Sequence, residues 1–363
     1  MPEGTVFFEN EPMVRVVASM PEAQLIETRL VNIVHFETLI ASKAARCMLA
    51  ADDRAVLIDF GVRRSYGAEA GLLAARDSYM TGFAGTSTVL AEAIFGIPIF
   101  GTMAHSYVEA HGDELEAFLS FARANPNNTT LLIDTYDVHK GARKAVDAAN
   151  ILKETGIIVR AVRLDSGDLL VLSKDIREIL DQAGLTDIRI FASGNLDEYA
   201  IRDLLSYGAP INGFGVGTKL DTSEDAPYME CAYKLMEYAG TPRFKKSPGK
   251  ATIPGRKQVF RQFADRTMVQ DILTVEGDEI EGVPLLAKVM SGGKIISGRR
   301  QLKEIAAYTR SQLNALPAHF QRLRRYRHMP SRYHPHYPDS DRNLSGGGVS
   351  KLFAKSLFFQ ITL

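Results

Sequence analysis

Cysteine is scarce: Cys47 and Cys231 are the two in 363 residues. They do not form a close metal-binding pair, and two are too few for a disulfide scaffold. A reducing cytosol is the simplest setting. Net charge is missing too. The 43 Lys and Arg are balanced by 43 Asp and Glu. That argues against a broad electrostatic grip on nucleic acid or anionic lipid, and leaves room for a local anion pocket. No apolar run approaches the length of a membrane span. The start, MPEGTVFFENEP, has no basic region followed by an apolar core, so it does not read as a signal peptide. Asn127-Asn128-Thr129 fits a glycosylation acceptor, which means nothing without secretion. No internal repeat is visible. What is present is ordinary for a soluble globular enzyme: 45% hydrophobic and 24% charged residues. The length suggests about two domains.

Gly4–Val17 alternates and is broken at Glu9–Pro12, which predicts two short strands around a turn. From Pro21, residues Ile26, Leu30, Ile33, Ile40 and Ala44 keep helical spacing, predicting a helix to about Ala50. A strand–helix alternation then begins. Strand-like runs are Val56–Phe60, Pro98–Gly101, Thr130–Ile133, Ile157–Leu164, Ile188–Ala192 and Gly213–Val216. Helix-like stretches are His105–Ala122, His139–Thr155, Leu169–Ala183 and Leu196–Ser206. Such alternation predicts parallel strands with helical crossovers, and the near-continuous apolar runs predict strands covered on both faces. The pattern alone does not separate a barrel from an open sheet. After about Gly240, alternating segments such as Gln258–Phe263 and Met268–Val275 predict a smaller β-rich domain. It would take in the N-terminal strands and so be discontinuous. Helix resumes near Leu302. The tail after Leu316 is basic, then rich in His, Pro and Tyr, then glycine-rich, and is expected to be mostly disordered. The expected layout is therefore 1–20 strands, 21–50 connecting helix, 51–240 α/β catalytic domain, 241–300 remaining β domain, and 301–363 helix and tail.

Active sites of parallel α/β folds sit at the C-terminal strand ends, where loops and helix N-termini converge. Six segments lie there. Arg63 and Arg64 follow the first strand; paired guanidinium groups suit a carboxylate or phosphate, and a surface ion pair is the bland alternative. Gly82–Ser87 is small and opens a helix, which fits an anion or simply an N-cap. Thr102, His105 and Ser106 lie at a strand-to-helix junction. A histidine there serves as nucleophile or proton carrier, or merely caps the helix. Asp134 in DTYD and Arg163 and Asp165 in RLDSGD end two consecutive strands. Their carboxylates suit ribose hydroxyls or Mg²⁺; a turn or N-cap is the alternative. Ser193-Gly194 and Gly215-Val216-Gly217-Thr218 are glycine loops fit for phosphate oxygens, or in the second case a tight strand edge. Together they read as an α/β barrel for a sugar phosphate plus a small acidic molecule. A sugar-phosphate aldolase or isomerase would want a buried strand-end lysine. Lys219 is the nearest candidate, and its position predicts contact with phosphate instead.

The blocks DFGVRRSYG, GFAGTSTV, GTMAHSYV, VRLDSGDL, ASGNLDEY and GFGVGTKL, followed by YKLMEY and KATIPGRKQVFR, resemble the nicotinate phosphoribosyltransferase family in content and order. The resemblance runs from Met1 to about Leu316. It implies an irregular α/β barrel of the type II phosphoribosyltransferase kind with the smaller discontinuous β-rich domain. It implies formation of nicotinate mononucleotide and pyrophosphate from nicotinate and phosphoribosyl pyrophosphate, coupled to ATP hydrolysis, in NAD salvage. Within it, His105 matches the histidine phosphorylated by ATP. Thr102, Arg163 and Thr218 match substrate-binding positions. Arg63 and Arg64 would lie near the nicotinate carboxylate and phosphates. Asp134 and Asp165 would face ribose or metal-pyrophosphate. Ser193, Gly194 and Gly217 would bind the 5′-phosphate. Mg²⁺ would be held mainly through the pyrophosphate, with Asp165 its candidate protein ligand. A cytoplasmic homodimer is implied, with no nucleic acid or membrane partner. The family also carries a segment ahead of the EGTVFF strand, whose tyrosine helps close the nicotinate pocket. Its absence ahead of Met1 raises a second expectation, a catalytically impaired fragment or paralogue that binds ligand or dimerises.

Overall fold

The computed structural model describes residues 1–246, 252–321 and 323, together with the backbone of Ser331–Tyr333 and Ser356–Thr362. The chain divides into two units, Lys43–Asp225 and a second built from Met1–Ser42 with Ala226–Leu363.

In Lys43–Asp225, a six-stranded sheet is parallel throughout. Its spatial order is Gly85–Thr86, Val56–Asp59, Gly213–Val216, Arg189–Ala192, Val159–Leu164, Thr129–Leu132. Apart from its break, this is chain order around a ring: the first strand lies beside the last, Val56 opposite Gly213 and Asp59 opposite Val216. An irregular, half-closed α/β barrel results, as the sequence predicted. The break falls between Thr129–Leu132 and the edge formed by Gly85–Thr86. Pro98–Gly101, expected to be a strand, makes a single bridge there, Ile99 to Thr86. Glycines and small polar residues hid the Gly85–Thr86 strand, which reads as a helix-opening loop.

The strands are apolar because both faces are covered: Leu57, Ile58, Leu131, Leu132, Val162, Leu164, Ile190, Phe214 and Val216 are buried. Aspartates start the crossover helices. Asp137 accepts from Lys140 N–H at 2.8 Å, Asp168 from Leu170 N–H at 3.0 Å, and Asp197 from Ala200 N–H at 2.9 Å. The stretch predicted as one helix from His105 is two, His105–Glu109 and Glu114–Ala124, because Asp113 caps a new start through Leu115 and Glu116 N–H.

In the other unit, the Ser19 hydroxyl and N–H both donate to Glu22 Oε2, at 2.6 and 3.1 Å, fixing the start of the helix Met20–Ala51. Of the two N-terminal strands expected, Pro12–Val17 forms; Gly4–Phe8 does not, being a turn and irregular chain. One sheet runs Pro12–Val17, Ser356–Thr362, Glu230–Tyr238, Thr241–Pro242. A second runs Val283–Pro284, Lys257–Ala264, Thr267–Val275, Ser331–Tyr333. Two stretches of the tail are thus strands rather than disordered. The rest of the tail lies outside the described residues. Because Glu230–Tyr238 joins this unit, the break in the chain falls at Asp225 rather than near Gly240.

Candidate active site

Polar side chains from two neighbouring strand ends and from the loop at Thr102 meet at Arg163. Its Nε donates to Ser193 Oγ at 3.0 Å, and NH1 donates to Thr102 Oγ1 and to the Met103 carbonyl. NH2 lies 3.3 Å from Asp165 Oδ1. The guanidinium also sits 5.9 Å from the centre of the Phe60 ring, within cation–π reach. All three nitrogens are therefore held before a ligand is considered, which fixes the fork in one orientation.

Asp165 Oδ1 also accepts from the Ser193 hydroxyl. Burial alone would raise its carboxyl. The Ser193 hydrogen bond, the Arg163 charge and hydrogen bond, and His105 outweigh burial and hold it below the usual carboxylate range. His105 stands between two of these groups. Its Nε2 is 3.6 Å from Asp165 Oδ2, and its Nδ1 is 3.2 Å from Thr135 Oγ1. The ring is partly exposed, so an incoming group can reach it.

Asp134 does a different job. Its Oδ2 accepts from Asp165 N–H at 2.8 Å and from Ser166 Oγ at 2.6 Å, tying down the loop that carries Asp165. Its Oδ1 is buried without a hydrogen-bond partner among the described residues. Gly194 has φ of +98°, and a Cβ there would lie 2.2 Å from the Asp165 carbonyl oxygen, so glycine is required for this close passage.

The remaining candidates fall around this centre. Arg63 and Arg64 are exposed on the turn Val62–Arg64 and make no ion pair among the described residues. Thr218 is exposed at the first position of Thr218–Asp221, with Gly217 just before it. Ser106 is exposed, and its carbonyl accepts from Ala110 N–H. Gly215 is buried inside its strand, where a Cβ would meet the Phe60 ring at 2.5 Å; aromatic packing accounts for it. Lys219 is turned to Asp197, Nζ to Oδ2 at 2.8 Å, and not to the rim. Asp197 lies below its ordinary range, since the Lys219 and Ala200 hydrogen bonds overcome burial.

Sequence reading did not single out Phe60, Thr135 and Ser166. Thr135 and Ser166 are each next to a strand-end residue that it did flag, and Phe60 stands a few residues ahead of Arg63. It also missed a charge cluster in this unit. Lys43 Nζ lies 2.8 Å from Glu198 and 2.7 Å from Asp225, and Arg46 grips Asp225 through two 2.7 Å bonds. Lys43 and Glu198 are buried, and no local motif marks a pair so distant in sequence.

Fold and site define a class: a half-closed parallel α/β barrel with polar and cationic side chains gathered at its strand ends. Comparison with known proteins narrows it. The Nicotinate phosphoribosyltransferase (NAPRTase) family model matches residues 55–269, and the Nicotinate phosphoribosyltransferase C-terminal domain matches residues 261–334. Nicotinate phosphoribosyltransferase pncB2 of Mycobacterium tuberculosis is 48% identical over 323 residues, spanning 89% of this chain and 69% of the relative. Nicotinate phosphoribosyltransferase of Bacillus subtilis is 43% identical over 269 residues, spanning 72% of this chain and 54% of the relative. The crystal structure of human nicotinic acid phosphoribosyltransferase superposes with a TM-score of 0.73 at 26% identity, covering 85% of this chain and 74% of the human one. The chain belongs to the nicotinate phosphoribosyltransferase family.

Proposed function

We propose that this chain transfers the phosphoribosyl group of phosphoribosyl pyrophosphate to nicotinate, giving nicotinate mononucleotide and pyrophosphate, with ATP as co-substrate. The observation that carries the reading is the convergence of Arg163, Thr102, Ser193, Asp165 and His105 at neighbouring strand ends. The fixed guanidinium of Arg163 suits the donor's phosphate oxygens. Gly194, Gly217, Thr218 and Ser193 supply hydroxyl and backbone donors for the 5′-phosphate. Arg63 and Arg64 offer unpaired charge to the nicotinate carboxylate and phosphates. The pyridine nitrogen displaces pyrophosphate at the anomeric carbon, and the cations stabilise the charge that develops on the leaving group.

His105 receives the phosphoryl group of ATP in this reading. Its exposed ring and its contacts with Asp165 and Thr135 support it as the nucleophile. Among the described residues no cluster of three or more His, Cys, Asp or Glu could hold a metal by itself. Mg²⁺ would be held through substrate oxygens, with Asp165 the carboxylate that could join its shell. When bound, Mg²⁺ neutralises charge on the pyrophosphate. A cytoplasmic homodimer acting in NAD salvage completes the proposal. The test is a steady-state assay with nicotinate, phosphoribosyl pyrophosphate, ATP and Mg²⁺. Nicotinate mononucleotide and pyrophosphate should appear in equal amounts. A folded protein that forms neither would overturn the reading.

A further inference from the structure

Beneath the double-arginine turn lie two carboxyl groups with no part in the site described above. Asp59 ends its strand fully buried. Its Oδ1 accepts from Gly61 N–H at 2.8 Å, and its Oδ2 from Thr86 Oγ1 at 2.6 Å. Asp221 ends the segment Thr218–Asp221 and is also fully buried. Its Oδ2 accepts from the Ser65 hydroxyl, while Oδ1 has no hydrogen-bond partner among protein donors. Gly61 makes room for it: a Cβ there would lie 2.0 Å from Asp221 Oδ1. Both ends of the turn that carries Arg63 and Arg64 are thus held by these acids, Gly61 by Asp59 and Ser65 by Asp221.

Among the described residues, the surroundings offer neither acid a cation. Arg63 and Arg64 are exposed on the turn between the two anchors. Lys219, on the same segment as Asp221, is turned to Asp197. In the helix Ala68–Thr81, Arg76 lies 3.8 Å from Asp77. The partner strand Gly213–Val216 contains no titratable residue, and Gly85–Thr86 contributes a hydroxyl. Gly61 touches both acids, its N–H on Asp59 and its Cβ position against Asp221, so the two buried carboxyls lie close together, and ionising both without a cation is costly. Burial pushes both upward, Asp221 well above the usual carboxylate range with the Asp59 charge adding to burial; hydrogen bonds from Thr86 and Gly61 pull Asp59 back. One proton is therefore held by the pair, and Asp221 Oδ1, which accepts no hydrogen bond among the described residues, is an oxygen that can carry it.

We propose that Asp59 and Asp221 share one proton, which locks the Arg63–Arg64 turn to the Gly217–Asp221 segment and so positions both for the phosphates of the substrate. Loss of that proton sets two carboxylates against each other and loosens both anchors. The proposal rests on the reading that these two segments bind substrate; its first test does not. In protein labelled with ¹³C at aspartate carboxyls, one resonance should keep its proton far into the neutral range. It should vanish in Asp221→Asn or, should that variant not fold, change in Asp59→Asn. Two carboxyls that both ionise with the ordinary aspartates would overturn the shared proton.

The second test is calorimetric. Affinity for phosphoribosyl pyrophosphate is followed against pH in wild type and Asp221→Asn, and compared so that the ligand's own ionisation cancels. Wild type should lose about tenfold or more relative to the variant as the pair titrates, the loss expected for one charge-assisted contact. The amide of the variant has no proton to lose in this range. Parallel curves with the proton confirmed would overturn the positioning role. No measurable donor binding at any pH would instead defeat the proposed function, leaving the proton to the carboxyl titration.

Discussion

Arg163 and His105 differ in how their neighbours leave them. Arg163 is held on every guanidinium nitrogen, so the phosphate of the proposed donor would meet an ordered fork. His105 has two polar contacts and stays partly exposed, as the proposed phosphoryl acceptor needs to be. With γ-labelled ATP, wild type should acquire acid-labile, base-stable label and His105→Ala should not. Equal label in both would reject His105 as the acceptor. At this scale the sequence was informative wherever a residue closes a strand: Asp134, Arg163, Asp165 and Ser193 were visible as strand ends. Their division of labour was not. That Asp134 braces the Asp165 loop, while Asp165 faces His105 and Arg163, depends on side-chain directions no linear pattern carries. Gly215 shows the converse. A glycine in a glycine-rich loop reads as a phosphate contact, but here it accommodates the Phe60 ring.

The elements were legible where periodicity and capping agree. The aspartates that start the crossover helices follow apolar strands, and boundaries fell within a few residues of expectation. Short or broken elements were not legible. The two-residue strand Gly85–Thr86 has no periodicity, and the restart of helix at Asp113 lies inside one apolar stripe. Packing between distant elements was also beyond sequence reading, the Lys43–Glu198–Arg46–Asp225 cluster above all. Asp225 is held well below the usual carboxylate range: burial would raise it, but the Arg46 and Lys43 hydrogen bonds prevail. Removing one partner of a buried ion pair is costly, whereas replacing the pair by apolar groups can be nearly neutral. Glu198→Leu should lower unfolding free energy by about 3 kcal/mol in urea, and adding Lys43→Met should recover part of that loss. A single-variant cost below about 0.5 kcal/mol, the level of an ordinary surface change, would show that the cluster is not a stabilising brace.

At the scale of the whole molecule, each unit has its own polar interior. In the unit containing both termini, Arg261 is fully buried and grips Asp271 through Nε at 2.8 Å and NH2 at 2.6 Å. Glu11 lies beside Asp271. Burial and the Asp271 charge raise its carboxyl well above the usual range, which favours its protonated form in the folded state. Above the unfolded carboxylate range the folded state binds the extra proton, and stability falls as pH rises until the folded group also ionises. Lys257 has the opposite sign. Burial lowers its ammonium to about 7, so its contribution to stability rises between there and the ordinary lysine range. Glu11→Gln should therefore raise the melting temperature more at pH 7 than at pH 4. An equal change at both values would mean that Glu11 is already ionised in the folded protein.

The central claim is that strand ends of one unit hold the phosphoribosyl donor through Arg163. The most direct test is calorimetric titration of phosphoribosyl pyrophosphate and of nicotinate into wild type and Arg163→Ala. Losing a charge-assisted contact to a desolvated anion should cost roughly 1.5–3 kcal/mol, about ten- to hundredfold in donor affinity. Nicotinate affinity should fall less. Unchanged affinity for the donor in the folded variant would contradict the account.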